Sequence, residues 1–372
     1  MEPKDLLNYL AIVRDPRVER TRKHELPELL FISVCAVLCG AESWTEFEEY
    51  GNANRDWLST FLDLPNGIPS HDTFGRVFAA LDPEALEQAL SAFVRDFAGD
   101  SAGKHIAIDG KTLRRSFDRA AEKSAIHMVT AWVYENHAAF GQRKVDEKSN
   151  EITAIPQLLA LLNLNGATVT IDAMGCQKEI AKAIVQRGGE YVLALKGNQG
   201  TLHEEVSEFF DDVLARGLAA ELDTHTSLEK GHGRIEERTA HLSKDVSWLR
   251  DHAQWEGLSG VLCVERKRTV NGHTTAERHY YICSGEKTTA QQAAKAVREH
   301  WSVENELHWT LDVAFHEDLS RARINNAAEN LARLRRLALS ILKQDKTTKV
   351  GIHGKRLKAA WDRGYLLTLL RV

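Results

Sequence analysis

The chain has 372 residues, of which 43% are hydrophobic and 27% charged, with a formal net charge of −5 at pH 7. This composition excludes a disordered chain and suffices for a sizeable core in roughly two or three structural units. The longest apolar run near the N terminus, residues 29–39, is too short to span a bilayer, and five scattered cysteines give no disulfide framework or CxxC zinc spacing. We therefore expect a cytoplasmic protein without a membrane span.

The first hundred residues predict an all-helical domain over 1–100. Apolar residues at helical spacing indicate helices at about 26–40, 44–61 and 83–97. The segment DLPNGIPSHDTFGRVF permits a helix-turn-helix whose recognition helix follows Ser70. A plain helical bundle that braces a catalytic core is equally compatible, because this helix offers few base-reading side chains beyond His71 and Arg76.

From Lys104 onward the pattern changes to short β-branched runs that alternate with amphipathic segments. Strands are predicted at about 105–108, 127–134, 138–145, 167–171 and 191–195, and helices at 154–164 and 177–187. Three antiparallel strands followed by helix-crossover strands predict an α/β fold with a mixed sheet. Residues 101–220 form the first part of this core.

Two predicted strands end at an aspartate, in HIAIDGKTLRRS at Asp109 and in ATVTIDAMGCQ at Asp172. A single aspartate at a strand end is more often a turn or cap residue. Two aspartates on neighbouring strands are expected to converge on the crevice where α/β sheets bind ligands. Their carboxylates would repel each other there, and a bound Mg²⁺ would relieve this repulsion. With a third carboxylate, Glu304 in the helical HWSVENELHW, a second ion can bind about 3.5–4 Å from the first, which suits phosphoryl transfer.

Between Asp172 and Glu304 lie two further features. In LKGNQGTLHEEV, Lys196 precedes exposed amides at a helix start, an arrangement that can hold a phosphate, although a simple turn is the alternative. Residues 221–285 are predicted to be a β-rich insertion. Residues 286–372 then complete the core with the Glu304 helix and basic C-terminal helices.

The C-terminal segment is strongly basic. Residues 321–372 hold thirteen Lys or Arg against three Asp or Glu, a local charge of +10 in a chain of net −5. We expect this segment to contact the DNA backbone, and the basic residues that follow Asp109 to contact phosphate near the metals. The candidate DNA contacts are Lys111, Arg114, Arg115, Arg119, Lys196, His300, Arg321, Arg323, Arg333, Arg335 and Arg336. Asp312, Glu317 and Asp318 are expected to order the loop before Arg321.

Three long stretches carry a family resemblance: DGKTLRRS, the run from KVDEKSNEITAIPQLL through LKGNQGTL, and HWSVENELHWTLDVAFHEDLSRARINNAAENLARLRRLAL. They resemble the bacterial insertion-sequence transposases of the DDE class, in the branch of H-repeat-associated proteins. The resemblance implies a ribonuclease H-like core and a mechanism with two Mg²⁺ or Mn²⁺ ions. It also implies cleavage at the element's terminal repeats and joining of the 3′-hydroxyl to target DNA, by a homodimer on double-stranded DNA. By position, Asp109, Asp172 and Glu304 match the family's metal-binding residues.

One part of the family pattern is absent. Related transposases carry Tyr, Arg, Glu and Lys at fixed spacing, where this chain has Val297, His300, Glu304 and Leu311. We interpret the change as a subfamily difference in DNA contacts. On an α-helix, His300, Trp301, His308 and Leu311 would share the face of Glu304, which favours Glu304 over Glu306 as the metal ligand. Trp301 and Trp309 are assigned to packing.

Three functional classes are compatible with these features. The leading one is a metal-dependent transposase. A nuclease or resolvase on the same fold would cut DNA without joining it, and a remnant of a mobile element would bind DNA without cutting.

Overall fold

A computed structural model describes residues 3–117, 124–145, 150–231 and 233–371, so that Arg119 lies outside the described residues. The α-helices are α1 (Pro3–Ala11), α2 (Leu26–Leu38), α3 (Trp44–Ala53), α4 (Arg55–Leu58), α5 (His71–Ala80), α6 (Pro83–Ala98), α7 (Glu151–Leu159), α8 (Lys178–Val185), α9 (Gly200–Ala215), α10 (Ala290–His300), α11 (Trp309–Phe315), α12 (Ala327–Gln344), α13 (Ile352–Trp361) and α14 (Arg363–Leu369). The strands are β1 (His105–Thr112), β2 (His127–Val133), β3 (Ala138–Lys144), β4 (Thr168–Ile171), β5 (Glu190–Leu195), β6 (Asp223–Gly231), β7 (Arg234–Ser243), β8 (Leu258–Val270) and β9 (His273–Ser284).

The chain forms two compact units, each built from segments that are separate in the sequence. The first unit comprises Met1–Asp100, Gly110–Lys148 and Glu304–Val372, and the second comprises Ser101–Asp109 and Ser149–Val303. The units therefore do not follow the order of the four ranges predicted from the sequence. Among the described residues, no helix is both long and apolar enough to cross a membrane.

The core of the first unit is organised around α12. Every residue of this helix from Ala327 to Leu342 is buried. It packs against α2, α5, α6 and β3, and the side-chain amide of Asn330 donates to the carbonyls of Phe78 (2.9 Å) and Leu81 (3.0 Å). A helix that is covered on all sides belongs inside a core. The N-terminal and C-terminal helices thus share one interior.

Helix α5, the segment considered as a recognition helix, packs on this interior. Its buried residues include Phe74, Val77 and Phe78, and the helix contacts α3 and α12. Its first residue, His71, lies with Nδ1 2.6 Å from Oε2 of Glu48 on α3. These contacts match the bracing role, and the helix-turn-helix alternative stays a prediction.

The first unit also contains the predicted hairpin. Strands β2 and β3 pair antiparallel from Met128–Lys144 to Val133–Ala138, which confirms this element of the sequence prediction. The chain that leaves β1 runs beside β2, because the N–H of Leu113 donates to the carbonyl of Ile126 at 2.8 Å.

The second unit holds a mixed sheet in the order β1-β4-β5-β9-β8-β7-β6. Strands β1, β4 and β5 are parallel neighbours, whereas β9, β8, β7 and β6 join antiparallel. The prediction of a mixed α/β sheet is confirmed, as is the β-rich stretch before α10.

Helix α7 begins three residues earlier than predicted. The sequence indicated a start at Ala154, where the apolar run begins, but the helix starts at Glu151. Asn150 caps it, because its side chain accepts the N–H of Ile152 at 3.1 Å. Glu151 consequently sits in the first turn of a helix instead of in a loop.

Candidate active site

Asp109 and Asp172 lie at the same edge of the second unit's sheet. Strands β1 and β4 are parallel, and Ile108 is the partner of Ile171. Each aspartate follows its isoleucine directly, and both are half-buried while the preceding strand residues are buried. The prediction that the two strands are neighbours is confirmed, and Asp172 does follow the end of β4. The predicted end of the first strand is wrong, because β1 continues through Asp109 to Thr112, although its pairing with β4 stops at Ile108.

Asp172 also shapes the turn that follows β4. Its side chain accepts the N–H of Met174 at 3.1 Å and that of Gly175 at 3.4 Å. Burial raises the pKa of Asp172, the carboxylates of Glu151 and Asp109 raise it further, and the two N–H groups lower it. The aspartate therefore lies where negative charges repel one another.

The donor chemistry of this edge fits Mg²⁺ or Mn²⁺. In the described parts of the chain, no three His, Cys, Asp or Glu side chains are gathered as a ready-made cage. Mg²⁺ does not need such a cage, because it keeps several waters and binds through one or two carboxylates together with substrate phosphates. A dication between Asp109 and Asp172 would also relieve their repulsion.

Glu304 belongs to the first unit and is exposed. It lies in a π-helical turn, Val303–His308, where the backbone repeat is i to i+5. The α-helical face assigned from the sequence is therefore wrong: His308 and Leu311 are buried while Glu304 points to solvent. The packing assignment of the tryptophans is also wrong, since Trp301 is 52% and Trp309 62% exposed.

Glu306, the alternative to Glu304, is engaged in a local network of the first unit. Its Oε2 lies 3.0 Å from Nδ1 of His137 and 2.9 Å from Nζ of Lys343. Burial raises the pKa of Glu306, but hydrogen bonds from these two partners outweigh it and lower the pKa to about 2. The Glu306 carboxylate is therefore already engaged by two partners of its own unit.

Three of the predicted DNA-contacting arginines are interior side chains of α12. Arg333, Arg335 and Arg336 are 1%, 3% and 1% exposed. Arg333 pairs with Glu87 (2.8 Å) and Glu329 (2.9 Å). The assignment of these arginines to DNA backbone contact is corrected on this ground, since a buried guanidinium that already holds a carboxylate is not placed to meet a phosphate.

Lys111 is corrected for the same reason. It is buried in the first unit with its ammonium 3.2 Å from Glu317 and also paired with Asp312. Glu317 in turn receives Nη1 of Arg336 at 2.8 Å. Burial raises the pKa of Glu317, and the cations Arg336, Lys111 and Arg335 lower it to about 2. Asp312 and Glu317 thus neutralise the buried cations Lys111 and Arg336.

The remaining basic candidates of the first unit are accessible. The side chain of Arg114 is 80% exposed, and Arg115 and Arg321 are exposed. Nε of Arg323 donates to the carbonyl of Arg115 at 3.0 Å, and its guanidinium lies 4.8 Å from the ring centre of Phe117. These contacts hold the loop after β1 against the loop before α12.

Lys196 is exposed in the second unit, beside the turn that follows Asp172. Asn198 donates from its amide to the carbonyl of Ala173, and Gln199 to that of Cys176, both at 2.6 Å. The loop that carries Lys196 is therefore fixed against the aspartate's own turn.

His300 is part of a buried relay that the sequence did not reveal. Its Nδ1 lies 3.0 Å from Oγ1 of Thr170, which lies 2.9 Å from Nε2 of His105. Burial and nearby His300 and Lys295 lower the pKa of His105 to about 3, so that it is neutral at physiological pH. His105 and Thr170 share strand faces with Asp109 and Asp172, a two-residue alternation that could have signalled the relay. The half-buried His300 joins α10 to β4.

Family models and relatives identify what the chain is similar to. The family described as "Transposase DDE domain" matches residues 100–341, and "DDE_Tnp_1-associated" matches residues 7–94. The chain is 41% identical to the "H repeat-associated putative transposase YhhI" of Escherichia coli (strain K12), over all of this chain and 98% of that protein. It is 40% identical to the "Putative transposase YncI" of Escherichia coli O157:H7, over all of this chain and 95% of that protein. A solved piggyBac transposase synaptic complex with hairpin DNA aligns at 11% identity over all of this chain and 81% of that one, with a TM-score of 0.47.

Proposed function

The chain belongs to the transposase DDE domain family, and from that membership we propose that it cuts the ends of a DNA element and joins the 3′-hydroxyls to target DNA. The observation that carries the proposal is the register of β1 and β4, which brings Asp109 and Asp172 to one sheet edge. Glu304 is proposed as the third catalytic carboxylate from its sequence motif and its exposure. We propose a ribonuclease H-like arrangement for the core.

The carboxylates would hold two Mg²⁺ or Mn²⁺ ions. When bound, such ions activate a water or a 3′-hydroxyl as nucleophile and stabilise the leaving oxygen. Asp109, within β1, and Asp172, directly after β4, would present their oxygens from the ordered backbone of the sheet. The backbone N–H groups of Met174 and Gly175 hold the Asp172 carboxylate in one rotamer. The side chain would therefore need little reorganisation when a metal ion binds.

The proposed partner is double-stranded DNA, as terminal repeats and as target. Arg114, Arg115 and Arg321 in the first unit supply exposed positive charge for phosphates, and the half-buried Arg323 adds charge where it contacts the Arg115 carbonyl. Lys196 supplies it in the second unit, in the loop fixed beside the turn of Asp172. We also propose a homodimer on DNA, because two ends of the element have to be brought together and each end would be bound by one subunit.

A gel assay separates this function from its alternatives. The full chain is incubated with Mg²⁺, a labelled duplex from the DNA that flanks its gene, and a target plasmid. We expect joined products. Cut products alone would identify a nuclease or resolvase, and a shifted band without cutting would identify a DNA-binding remnant. The Asp109→Asn protein, with one metal-binding charge removed, serves as the inactive control.

A further inference from the structure

Helix α7 lies close to the turn that follows Asp172. Helix α7 packs on the short turn formed by residues 173–175. A Cβ at Gly175 would lie 2.2 Å from Cγ2 of Ile171 and 3.1 Å from Cδ1 of Ile155, so the absence of a side chain lets the turn fold back on β4 and pack against α7. Ile155 is fully buried at this contact.

Glu151 occupies the same face of α7 one turn earlier. Residues four apart on a helix lie above one another, so Glu151 lies on the face of α7 that contacts the turn, one helical turn before Ile155. The electrostatics agree with this placement. After burial, the Glu151 carboxylate is the largest influence that raises the pKa of Asp172, ahead of Asp109. Asp172 is thus influenced by two other carboxylates of the second unit.

We propose that Glu151 is a positioning carboxylate of the metal site, accepting hydrogen bonds from water bound to the ion that Asp109 and Asp172 hold. This inference rests on the proposed function. It adds a third carboxylate from within the second unit, independent of Glu304.

A role through bound water follows from the geometry. No three carboxylates of the described chain are gathered closely enough to hold an ion directly, and Mg²⁺ retains several of its waters in proteins. A half-buried carboxylate beside the two ligands can order those waters and add negative charge. Residues of this kind change metal affinity by roughly 10–100-fold when they are replaced.

Glu151→Gln tests the proposal, and Glu179→Gln is the matched control. Glu179 lies in the first turn of α8 in the same unit, with an exposed side chain, and its replacement makes the same change in charge. Mn²⁺ is titrated calorimetrically into each full chain, with and without a terminal-repeat duplex. Thermal unfolding is recorded in chelator and in Mn²⁺.

We expect Glu151→Gln to weaken Mn²⁺ binding by about tenfold or more relative to Glu179→Gln. In chelator, its unfolding midpoint should equal or exceed that of Glu179→Gln, because both variants lose one carboxylate from the first turn of a helix and only Glu151→Gln also relieves repulsion at Asp172. A lower midpoint in chelator would assign Glu151 to the fold, and affinity within about twofold of the control would assign it no role at the ion. Either result overturns the inference. Absence of Mn²⁺ binding by the wild type, with or without DNA, would instead overturn the proposed function itself.

Discussion

Replacing Arg333 by Met should unfold the first unit more readily and leave its DNA contacts unchanged. The guanidinium is 1% exposed and holds Glu87 at 2.8 Å and Glu329 at 2.9 Å, with the Glu87 side chain 4% exposed. Glu87 also accepts the N–H of Gln142 at 3.1 Å, which fixes it against β3. Removing one partner of a buried ion pair leaves an uncompensated charge, and we expect a loss of about 3–5 kcal/mol in the free energy of unfolding.

The measurement is urea unfolding, followed by DNA affinity across a salt series. Arg321→Met, at an exposed position of the same segment, should change stability by no more than about 0.5 kcal/mol. It should also flatten the slope of log affinity against log salt by roughly 0.9 if Arg321 contacts one phosphate. The Arg333→Met protein, corrected for its folded fraction, should keep the wild-type slope. Adding Glu87→Gln should recover about 1–3 kcal/mol as coupling energy. The reasoning is refuted if Arg333→Met is as stable as the wild type and has the flattened slope.

The other predictions concern catalysis, metal and pH. Asp109→Asn, Asp172→Asn and Glu304→Gln should each abolish cleavage and joining in the gel assay, whereas Glu306→Gln should keep both; activity in any of the first three removes that residue from the site. Mg²⁺ or Mn²⁺ should be required, and Ca²⁺ should support cutting poorly because its bonds are longer and less directed; undiminished cutting in chelator would contradict the metal-dependent mechanism. The pKa of Glu306 falls from 4.5 to about 2 through His137 and Lys343, so its stabilising contribution is complete above about pH 4.5 and lost as pH falls toward 2. Urea unfolding of the wild type and Glu306→Gln should therefore show a difference that shrinks across this window, and a constant difference would count against the assigned network.

Local pattern was enough to locate the strands that carry the aspartates. Short β-branched runs ending in Asp109 and Asp172 predict buried strands, and the order of helices and strands predicts that the two are neighbours, as the structure has them. These features depend on residues close in sequence, or on the general rule for parallel strands.

The role of α12 could not be obtained in this way. A sum of charges over residues 321–372 treats every arginine as exposed. The carboxylates that neutralise Arg333 and Arg336 include Glu87 and Glu317, which lie outside the helix and in one case far away along the chain. A buried arginine becomes recognisable only when its distant partner is known.

Two smaller errors have local causes. Glu304 was placed on an α-helical face, but its segment is a π-helical turn whose repeat changes which residues align. Glu151 was overlooked because the helix was expected to start with its apolar residues, whereas Asn150 begins it earlier. In the first case the backbone departs from the α-helical repeat, and in the second the cap residue places the helix start before the first apolar residue.

The position of α12 in the chain has a consequence for biosynthesis. A ribosome releases α2, α5 and α6 long before residues 327–344 exist, yet these early helices and β3 pack on that late helix. The core of the first unit can therefore form only after residues 327–344 have been synthesised. Until then, the apolar surfaces of the early helices stay exposed to solvent. A gene copy cut short before codon 327 would leave those helices without their shared partner, so a nonsense mutation near the 3′ end removes the N-terminal fold as well.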